Sequence, residues 1–316
     1  MDASLLEQFA AARSGSGIGR PVRELIATDG PLKGAESQRF RSWFTSECME
    51  PSRDLDDYGQ MLFTGDLAGV KRECARRVAV LVKTGLSEDE AITKAGQAQA
   101  ELRWGPTRVP IFDLLLLARH IEPLGRQEVL SVVQYLINEA KVPVGSKDLS
   151  GSMAISHAIS TMPSFDPELA QVLYDAGEDV NGRNRYGCTP AHEICMVRPG
   201  EDRSLDALEW YISHGGNLDV KDNDGMTPRA ILNRMQAAYR IYPGPNSATT
   251  MSKAVAKEDQ RRARLKGKCC AFCGREAEHL MACSRCKATY CSPTPGKSCQ
   301  KADWPFHKTE CGKVGK

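Results

Sequence analysis

The residues with the clearest chemical potential are seven cysteines and one histidine near the C-terminus. They are Cys270, Cys273, Cys283, Cys286, Cys291, Cys299, His307 and Cys311. Zn²⁺ in a closed structural site takes four Cys or His ligands, and a Cys-x2-Cys pair lets one tight turn present two thiolates to the same ion. Two pairs have this spacing, the first beginning at Cys270 and the second at Cys283. Eight ligands therefore predict two complete tetrahedral shells, with two Zn²⁺ per chain.

The order of these ligands is accompanied by three further features, Tyr290-Cys291, Cys299-Gln300 and Trp304. Together they resemble a MYND zinc finger, which implies a small cross-braced fold for residues 269–316. In that family the first and third ligand pairs hold one ion, and the second and fourth pairs hold the other. The resemblance thus implies an all-cysteine site and a site of three cysteines and one histidine. By position these sites are Cys270, Cys273, Cys291 and Cys299, and Cys283, Cys286, His307 and Cys311.

One interval departs from the family pattern. Seven residues separate Cys291 from Cys299, where the family usually has three. The stretch 292–298 contains Pro and Gly, which predicts a surface loop. No other nearby cysteine could replace Cys299 as the ligand that follows this loop. Cys269 would lengthen the first knuckle and is interpreted as a non-ligand, and His279 is interpreted as a loop residue.

The middle of the chain repeats itself. Residues 180–190 align with residues 218–228 at an offset of 38, and both segments end in Gly-x-Thr-Pro. A third copy begins at Val144, at an offset of 36. Periods of this length suit one turn and two helices. The pattern resembles ankyrin repeats, in which a hairpin turn precedes Gly-x-Thr-Pro at the start of the first helix.

The resemblance implies an ankyrin-type helical solenoid over residues 55–241, with its clearest copies after residue 105. Gly187 and Gly225 lie where the hairpin turns need a positive φ, and Gly177 and Gly215 lie where a helix ends in a left-handed residue. The predicted fold class is therefore mainly α, a helical repeat solenoid followed by a small two-zinc finger.

The segments on either side of the repeats are predicted to be a cap and a linker. Residues 1–54 form the helical and flexible N-terminal cap, in which the aromatic residues Phe40, Trp43 and Phe44 pack against the first repeat. Residues 242–268 form the linker, which starts with a Pro- and Gly-rich break and continues into a basic helix of net charge +5. This helix is either a nuclear-import or nucleic-acid patch or a solvated linker. We favour the solvated linker, because the basic run lacks interleaved aromatic residues.

Composition and charge limit the classes of partner. The 316 residues carry a formal charge of +2, and seven thiolates with two Zn²⁺ would bring it near −1. That balance disfavours strong non-specific attraction to nucleic acid or to a membrane. The longest apolar run, Ile111–Ala118, is interrupted by Asp113 and is far shorter than the ~20 residues a membrane span needs. No signal-peptide pattern is visible, and the Cys spacing favours metal over disulfides, so we expect a cytoplasmic or nuclear location, or both.

Both resemblances imply protein binding. Ankyrin repeats bind partners through a concave groove and the hairpin tips, and MYND fingers bind short, often proline-rich peptides. The family's peptide surface lies near Gln and Trp of the last helix, which are Gln300 and Trp304 here; simple packing of Trp304 against the zinc core is the alternative. The sequence therefore predicts a zinc-binding adaptor for protein or peptide partners rather than an enzyme, and it leaves the oligomeric state open.

Three other functions are weaker. MYND fingers also occur in SET-type lysine methyltransferases, but the Asn-His-type cofactor motif of those enzymes is absent here. His192 and Cys195 could suggest a hydrolase, yet their spacing within one helix and the lack of an orienting third group favour repeat packing. A nucleic-acid-binding transcriptional regulator is disfavoured because folds of this kind lack the helix spacing that reads bases.

Overall fold

A computed structural model of the chain describes residues 19–47, 49–120, 126–160, 165–196, 204–241, 247–292 and 298–311. The described residues are mainly helical, with little sheet, as the sequence predicts. The start of the predicted cap, the break at 242–246 and the loop at 293–297 fall outside these ranges. In the described part of the chain, no helix combines the length and the apolar character that crossing a bilayer would require.

The chain divides into two compact units. The first contains the described residues up to Glu178 together with Gly182–Thr189 and Lys221–Gly225. The second contains Asp179–Asn181, Pro190–Val220 and the described residues from Met226 onward. The repeating segments thus contribute to both units, because their turns belong to the first and the later helices belong to the second.

The first unit is built from short and medium helices. In chain order they are α1 (Val22–Ile26), α2 (Gly34–Ser46), α3 (Pro51–Asp54), α4 (Asp57–Phe63), α5 (Leu67–Val82), α6 (Glu88–Ala100), α7 (Ile111–Arg119), α8 (Arg126–Asn138), α9 (Ala154–Ser160) and α10 (Pro167–Asp175). Several begin at side chains that accept a hydrogen bond from the first turn. Ser87 and Glu90 form a reciprocal capping box on α6, and Asp166 accepts from the amide of Leu169 at the start of α10.

Helix α7 lies at the centre of the first unit. It packs against α4, α8 and α9, and its apolar sequence leaves Leu114 and Leu115 with no exposed surface. Full burial of each such side chain contributes about 1.5–3 kcal/mol. Because α7 is covered on nearly all sides, its one acidic residue, Asp113, is buried along with the leucines.

The aromatic residues of α2 do not pack as the sequence suggested. Phe40 has no exposed surface and lies in a cluster with Leu25, Leu149 and Tyr186. Leu149 and Tyr186 lie in the turns of the predicted repeats that begin at Val144 and Val180, so Phe40 packs against these later repeats and not, as expected, against the first one. Arg185 explains the placement, since its guanidinium donates to the carbonyl oxygens of Leu25 and Leu149 at 2.8 and 3.1 Å and ties the turns to this segment.

Three turns of the first unit share one geometry. Gly151, Gly187 and Gly225 have φ values of +78°, +77° and +85°, which confirms the turn prediction at Gly187 and Gly225. Each glycine amide donates to a carbonyl oxygen three residues earlier, at Asp148, Asn184 and Asp222 respectively. Successive turns are joined by backbone hydrogen bonds of 2.9 Å, from Arg185 N to Ser150 O and from Asn223 N to Tyr186 O. The turns therefore form a regular stack.

The described residues of the second unit form four helices, a two-stranded sheet and a final helix. These elements are α11 (Pro190–Ile194), α12 (Ser204–Ser213), α13 (Pro228–Ile241), α14 (Ser247–Arg264), β1 (Leu280–Ala282), β2 (Thr289–Cys291) and α15 (Cys299–Glu310). The strands pair antiparallel, with Met281 opposite Tyr290. Gly215 follows α12 with a φ of +85°, which confirms the left-handed residue predicted at the end of that helix.

The basic helix α14 is packed along one side. Met251 and Val255 are 0% and 5% exposed, and the helix lies against α12 and α13. Arg229 of α13 contacts Asp259 of α14 at 2.8 Å and also contacts Asp219 at 2.7 Å. The residues expected to form a solvated linker helix are thus held within the second unit by an apolar stripe and an ion-pair network.

Candidate metal centre

The first cysteine pair is held by a tight knuckle after α14. The amide of Gly274 donates to the carbonyl oxygen of Cys270 at 2.8 Å, and the amide of Cys270 donates to Arg275 O at 2.8 Å. Gly274 has a φ of +72°, and a Cβ atom there would lie 2.6 Å from the Arg262 guanidinium. Glycine is therefore favoured at this position by backbone conformation, and a larger residue would also have to displace the end of the Arg262 side chain. The knuckle aims Cys270 and Cys273 at the same point.

The second pair uses the same turn thirteen residues later. The amide of Lys287 donates to Cys283 O at 3.0 Å, and the amide of Cys283 donates to Ala288 O at 2.7 Å. Lys287 takes the place of Gly274 and has a φ of +64°, a conformation that is unfavourable for a residue with a Cβ. Gly274 and Lys287 thus have the same backbone conformation at equivalent positions of the two knuckles. In the second knuckle this conformation directs Cys283 and Cys286 toward the same point.

Strand β2 and helix α15 complete the first cluster. The sulfur atoms of Cys270, Cys273, Cys291 and Cys299 all lie within 4.8 Å of one another. The Cys273 and Cys291 sulfurs are 3.5 Å apart. Four sulfurs around a zinc ion with bonds of ~2.3 Å would lie about 3.8 Å apart, so this cluster fits a tetrahedral ion. Cys299 is included because it begins α15, where Ser298 caps the helix and turns the chain inward.

The second cluster combines the second knuckle with the end of α15. The ligand atoms of Cys283, Cys286, His307 and Cys311 lie within 4.8 Å of one another. The Cys283 and Cys311 sulfurs are 3.7 Å apart, and Cys286 Sγ lies 3.4 Å from His307 Nε2. A tetrahedral zinc with one nitrogen and three sulfur ligands would place these atoms roughly 3.5–3.8 Å apart. Zinc would be held here by three thiolates and one imidazole.

The knuckle amides prepare these thiols for a cation. The backbone N–H groups of Cys286 and Arg285 point at the Cys283 sulfur and lower the pKa of that thiol to about 6. In the first cluster the Cys273 thiol donates to Cys270 and lowers the pKa of Cys270 well below its usual range. Zinc binds the deprotonated ligands, so the amide donors at Cys283 reduce the cost of metallation, whereas the thiol donor of the first cluster does not, because the same hydrogen bond raises the pKa of Cys273 to about 12.

His307 is oriented by a hydrogen-bonded pair behind it. Tyr290 has no exposed surface, and its hydroxyl donates to Asp303 Oδ2 at 2.7 Å. The same hydroxyl oxygen is 3.1 Å from His307 Nδ1, so Nδ1–H donates to it and Nε2 is left for the metal. Outer-shell partners of this kind fix the tautomer and the ring angle of a ligating histidine. Sequence reasoning missed Asp303, although its position four residues before His307 on one helix was a usable signal.

The two excluded candidates lie apart from both clusters. Cys269 is buried, and its carbonyl oxygen accepts from the Thr289 hydroxyl at 2.8 Å, but its sulfur belongs to neither group of ligands. His279 also lies outside both groups. All eight residues that the sequence selected are therefore brought together in two sets of four.

The finger is joined to the rest of the second unit through the first knuckle. The Asn217 side-chain amide donates to Phe272 O at 2.8 Å, and Arg275 donates to His214 O at 3.1 Å. Val220 is 3% exposed and lies in the same apolar cluster as the ligand cysteines. The segment after α12 thus supplies part of the core of the finger.

Gln300 and Trp304 lie one turn apart on α15. Trp304 is 50% exposed, and Gln300 is partly exposed. The Trp304 ring stands 6.1 Å from the His307 ring at an interplanar angle of 37°. One side of the indole therefore faces the second cluster, and the remainder faces solvent.

Comparison with known proteins agrees with this geometry over the finger. Residues 270–311 match the profile of the MYND finger family. The "SET domain and MYND-type zinc finger protein 6" of Schizosaccharomyces pombe is 51% identical over 43 residues, and the "N-lysine methyltransferase SMYD2" of Sus scrofa is 49% identical over 47 residues. A Xenopus laevis protein, "N-lysine methyltransferase SMYD2-B", is 44% identical over 50 residues.

These matches are confined to a small part of each chain. They span 13%, 15% and 16% of this protein and 8%, 10% and 11% of the respective relatives. The likeness therefore concerns the zinc-binding segment and not the whole relatives. Residues 270–311 form a MYND finger, a protein-interaction zinc finger whose two Cys/His clusters are consistent with two zinc ions.

Proposed function

We propose that this protein is a non-catalytic adaptor whose finger binds a short proline-rich peptide of a protein partner. The observation that carries the proposal is the half-exposed indole of Trp304, one helical turn from Gln300 on α15. Proline-rich segments adopt an extended helix that docks on exposed aromatic rings at little entropic cost. Gln300 adds an amide that can hydrogen-bond the carbonyl groups of such a peptide.

The make-up of the two clusters supports a structural role for zinc. Each cluster offers four protein ligands, as closed structural sites do, whereas catalytic zinc keeps one position open for water or substrate. The metal would then serve to hold α15 against the knuckles. The peptide-binding side chains depend on that support, because Trp304 lies between Cys299 and His307 on this helix.

We also propose that residues 55–241 are an ankyrin-like repeat region that offers a second protein-binding surface. The supporting feature is the repeated turn at Gly151, Gly187 and Gly225, with its positive φ and its turn-to-turn hydrogen bonds. Gly177 and Gly215 add the left-handed residue at the end of two successive second helices. Stacked turns and paired helices are typical of ankyrin arrays, and the offsets of 36 and 38 residues seen here are a few residues longer than the usual ankyrin period of about 33.

The residues considered for a hydrolase are poorly suited to one. Cys195 is fully buried, and burial raises the pKa of its thiol to about 12. His192 is 1% exposed, and its Nε2 lies 3.1 Å from Met226 O. A thiol held neutral in an apolar environment is a poor nucleophile, which favours a packing role for both residues.

The basic helix is also less available to nucleic acid than its composition suggests. Arg261 and Arg262 both contact Glu258 at 2.7 Å, and Arg261 contacts Glu276 at 3.1 Å. Their charge is therefore partly neutralised within the second unit. This pairing supports a protein partner over a nucleic-acid partner.

Titration of the zinc-loaded full-length protein with a fluorescent proline-rich peptide tests the peptide site. Trp304→Ala and Gln300→Ala should each weaken binding, by about tenfold for Trp304, because a buried aromatic anchor contributes most to such interfaces. Thr309→Ala is the matched control, since Thr309 is exposed on the opposite side of α15. Zinc content must remain at two ions in all three variants. Equal affinity of Trp304→Ala and the native protein would move the peptide site elsewhere.

The named activity of the relatives provides a second candidate, lysine methylation. Incubating the full-length protein with labelled S-adenosylmethionine and a lysine-containing peptide addresses it directly. We expect no transfer of label, because strand structure in the described residues is limited to β1, β2 and isolated bridges. Methyl transfer by the purified protein would show that the protein is an enzyme and would overturn the non-catalytic part of the proposal. The peptide site is tested separately, by the peptide titration.

A further inference from the structure

Asp113 presents an unexplained buried carboxylate. The residue lies in the first turn of α7 and is 6% exposed. Among the described residues, neither of its carboxylate oxygens has a hydrogen-bond partner. An ionised carboxylate buried without a partner is very costly, so such a group is retained only if something compensates its charge.

Two metal-ligating side chains face this carboxylate. Asp113, Asp148 and His157 each place one ligand atom within 4.8 Å of the other two. His157 Nε2 lies 3.0 Å from Asp148 Oδ2. Asp148 is fixed from its other side, because its Oδ1 accepts from the Ser152 amide at 2.9 Å and from the Ser150 hydroxyl at 2.7 Å. The stacked turn therefore holds one ligand rigidly beside α7, and α9 supplies the imidazole.

The charges around Asp113 are unbalanced. Asp148 and Glu178 are both buried acids whose fields raise the pKa of Asp113, after the larger effect of burial itself. His157 and Arg103 oppose them. Three carboxylates thus face one permanent cation and one titratable imidazole, so the carboxylates, when ionised, leave an excess of negative charge in a site with little exposed surface.

A proton alone does not resolve this arrangement. Protonation of Asp113 would remove its charge, but it would leave a buried O–H donor and a carbonyl oxygen without partners, each at a cost of about 1–3 kcal/mol. A bound cation would both offset the negative charge of the carboxylates and provide a partner for the unpaired carboxylate oxygens of Asp113. Ligand atoms around a metal at ~2.1 Å lie roughly 3.0–3.5 Å apart, so His157 and Asp148 already have suitable spacing.

We propose that Asp113, Asp148 and His157 form a third metal site, which binds a divalent first-row transition ion such as Zn²⁺. Two carboxylate oxygens and one imidazole nitrogen suit zinc, manganese, iron or cobalt, whereas calcium and magnesium prefer oxygen ligands alone. The ion has a route inward, because the His157 side chain is 26% exposed and Asp148 lines a cavity of about 720 Å³. This site is independent of the finger and of its peptide-binding role.

Metal counting on the full-length protein tests the proposal. Native mass spectrometry and elemental analysis after loading with Zn²⁺ should find three ions per chain in the native protein. Asp113→Asn and His157→Gln should each retain only two. Asp175→Asn, which removes an exposed carboxylate from α10, should retain three. Loading with Co²⁺ separates the sites, because the finger gives intense thiolate-to-metal absorption and the third ion adds only weak visible bands.

His157→Gln keeps the test decisive if Asp113→Asn fails to fold, because His157 is the most exposed of the three side chains. The third ion should also raise the unfolding temperature of the native protein and leave that of His157→Gln unchanged. Two ions in the native protein at saturating metal would overturn the site and leave Asp113 as a neutral, protonated acid. Three ions in both the native protein and the variants would place the additional ion elsewhere and would overturn it equally.

Discussion

The first unit and the finger are held together by different sources of free energy. The core of the first unit consists of apolar side chains such as Leu114, Leu115 and Leu136, all with no exposed surface. The core of the finger consists largely of ligand cysteines around Tyr290, with few apolar residues such as Phe272. Hydrophobic burial stabilises the first, whereas a domain as small as the finger depends on the ions that its cysteines bind.

This difference extends beyond the finger itself. Asn217 and Val220 contact the first knuckle, so the segment after α12 shares the dependence on zinc. We therefore expect metal dependence to follow packing and hydrogen bonds rather than position along the chain.

Removal of zinc should have the largest effect. Structural zinc contributes about 10–16 kcal/mol in small fingers, so a chelator should unfold residues 269–311 and leave the core of α4–α10 intact. Hydrogen exchange should show protection lost across the finger and reduced at Asn217, while the amides of Leu114 and Leu136 remain protected. Equal loss of protection in both regions would show that the first unit also requires metal.

The buried ion pair of the first unit should be the next most sensitive feature. Arg119 and Asp166 are 0% and 1% exposed in their side chains and are 2.6 Å apart. Asp166→Asn should cost about 3 kcal/mol, since it leaves a buried guanidinium that, among the described residues, has only the exposed Glu168 as an acidic partner. Glu168→Gln is the control and should cost less than about 1 kcal/mol, because that carboxylate is 58% exposed. Urea unfolding, with zinc content checked in parallel, measures both changes.

The same pair sets a pH dependence. Burial raises the pKa of Asp166, but the N–H donors of Arg119 and Leu169 and the charges of Arg119 and Arg126 together outweigh burial and hold that pKa below its unfolded value of about 3.9. The ion pair is therefore fully stabilising above about pH 3.9 and is lost as the pH falls through the lower folded pKa. The finger should release zinc earlier during acidification, because its ligands must be deprotonated. Loss of helix before loss of zinc would contradict this order.

Backbone strain should produce a smaller effect in the stacked turns. Gly225 has a φ of +85°, and no atom lies within 4 Å of a Cβ built there. Gly225→Val should therefore cost about 1–3 kcal/mol through conformation alone. Gly30→Val is the matched control, since that position is also open and does not have a positive φ. If thermal unfolding of the two variants is the same, the turn does not require glycine.

The smallest predicted change is stabilising. Lys287 adopts a φ of +64° in the second knuckle, where the first knuckle has Gly274. Lys287→Gly should relieve about 1 kcal/mol of strain and strengthen zinc retention by about fivefold against a competing chelator. Gly274→Ala should weaken retention, because it adds both strain and a clash with Arg262. Weaker retention by Lys287→Gly would show that the lysine side chain, rather than the turn, matters.

The eight candidate zinc ligands could be identified in the sequence, and the resemblance to MYND fingers implied their division into the two sets of four that the structure shows. Cys-x2-Cys spacing, Gly-x-Thr-Pro periodicity and isolated glycines are local signals, because each depends on the conformation of a few consecutive residues. Those signals led to the knuckles at Cys270 and Cys283 and to the turns at Gly187 and Gly225. They also predicted a mainly helical chain. The ankyrin assignment and the domain boundaries stay predictions.

Contacts between residues that are distant in sequence could not be predicted in this way. Phe40 packs against Tyr186, Tyr290 joins Asp303 to His307, and Asp113 faces His157 across separate helices. The basic run is part of a packed helix because Met251 and Val255 are buried against neighbouring helices. No local pattern encodes these contacts, since the same short segments could be buried or solvated depending on what packs against them. Burial and partner choice belong to the assembled fold, where desolvation decides whether an acid, an aromatic ring or a basic helix is tolerated.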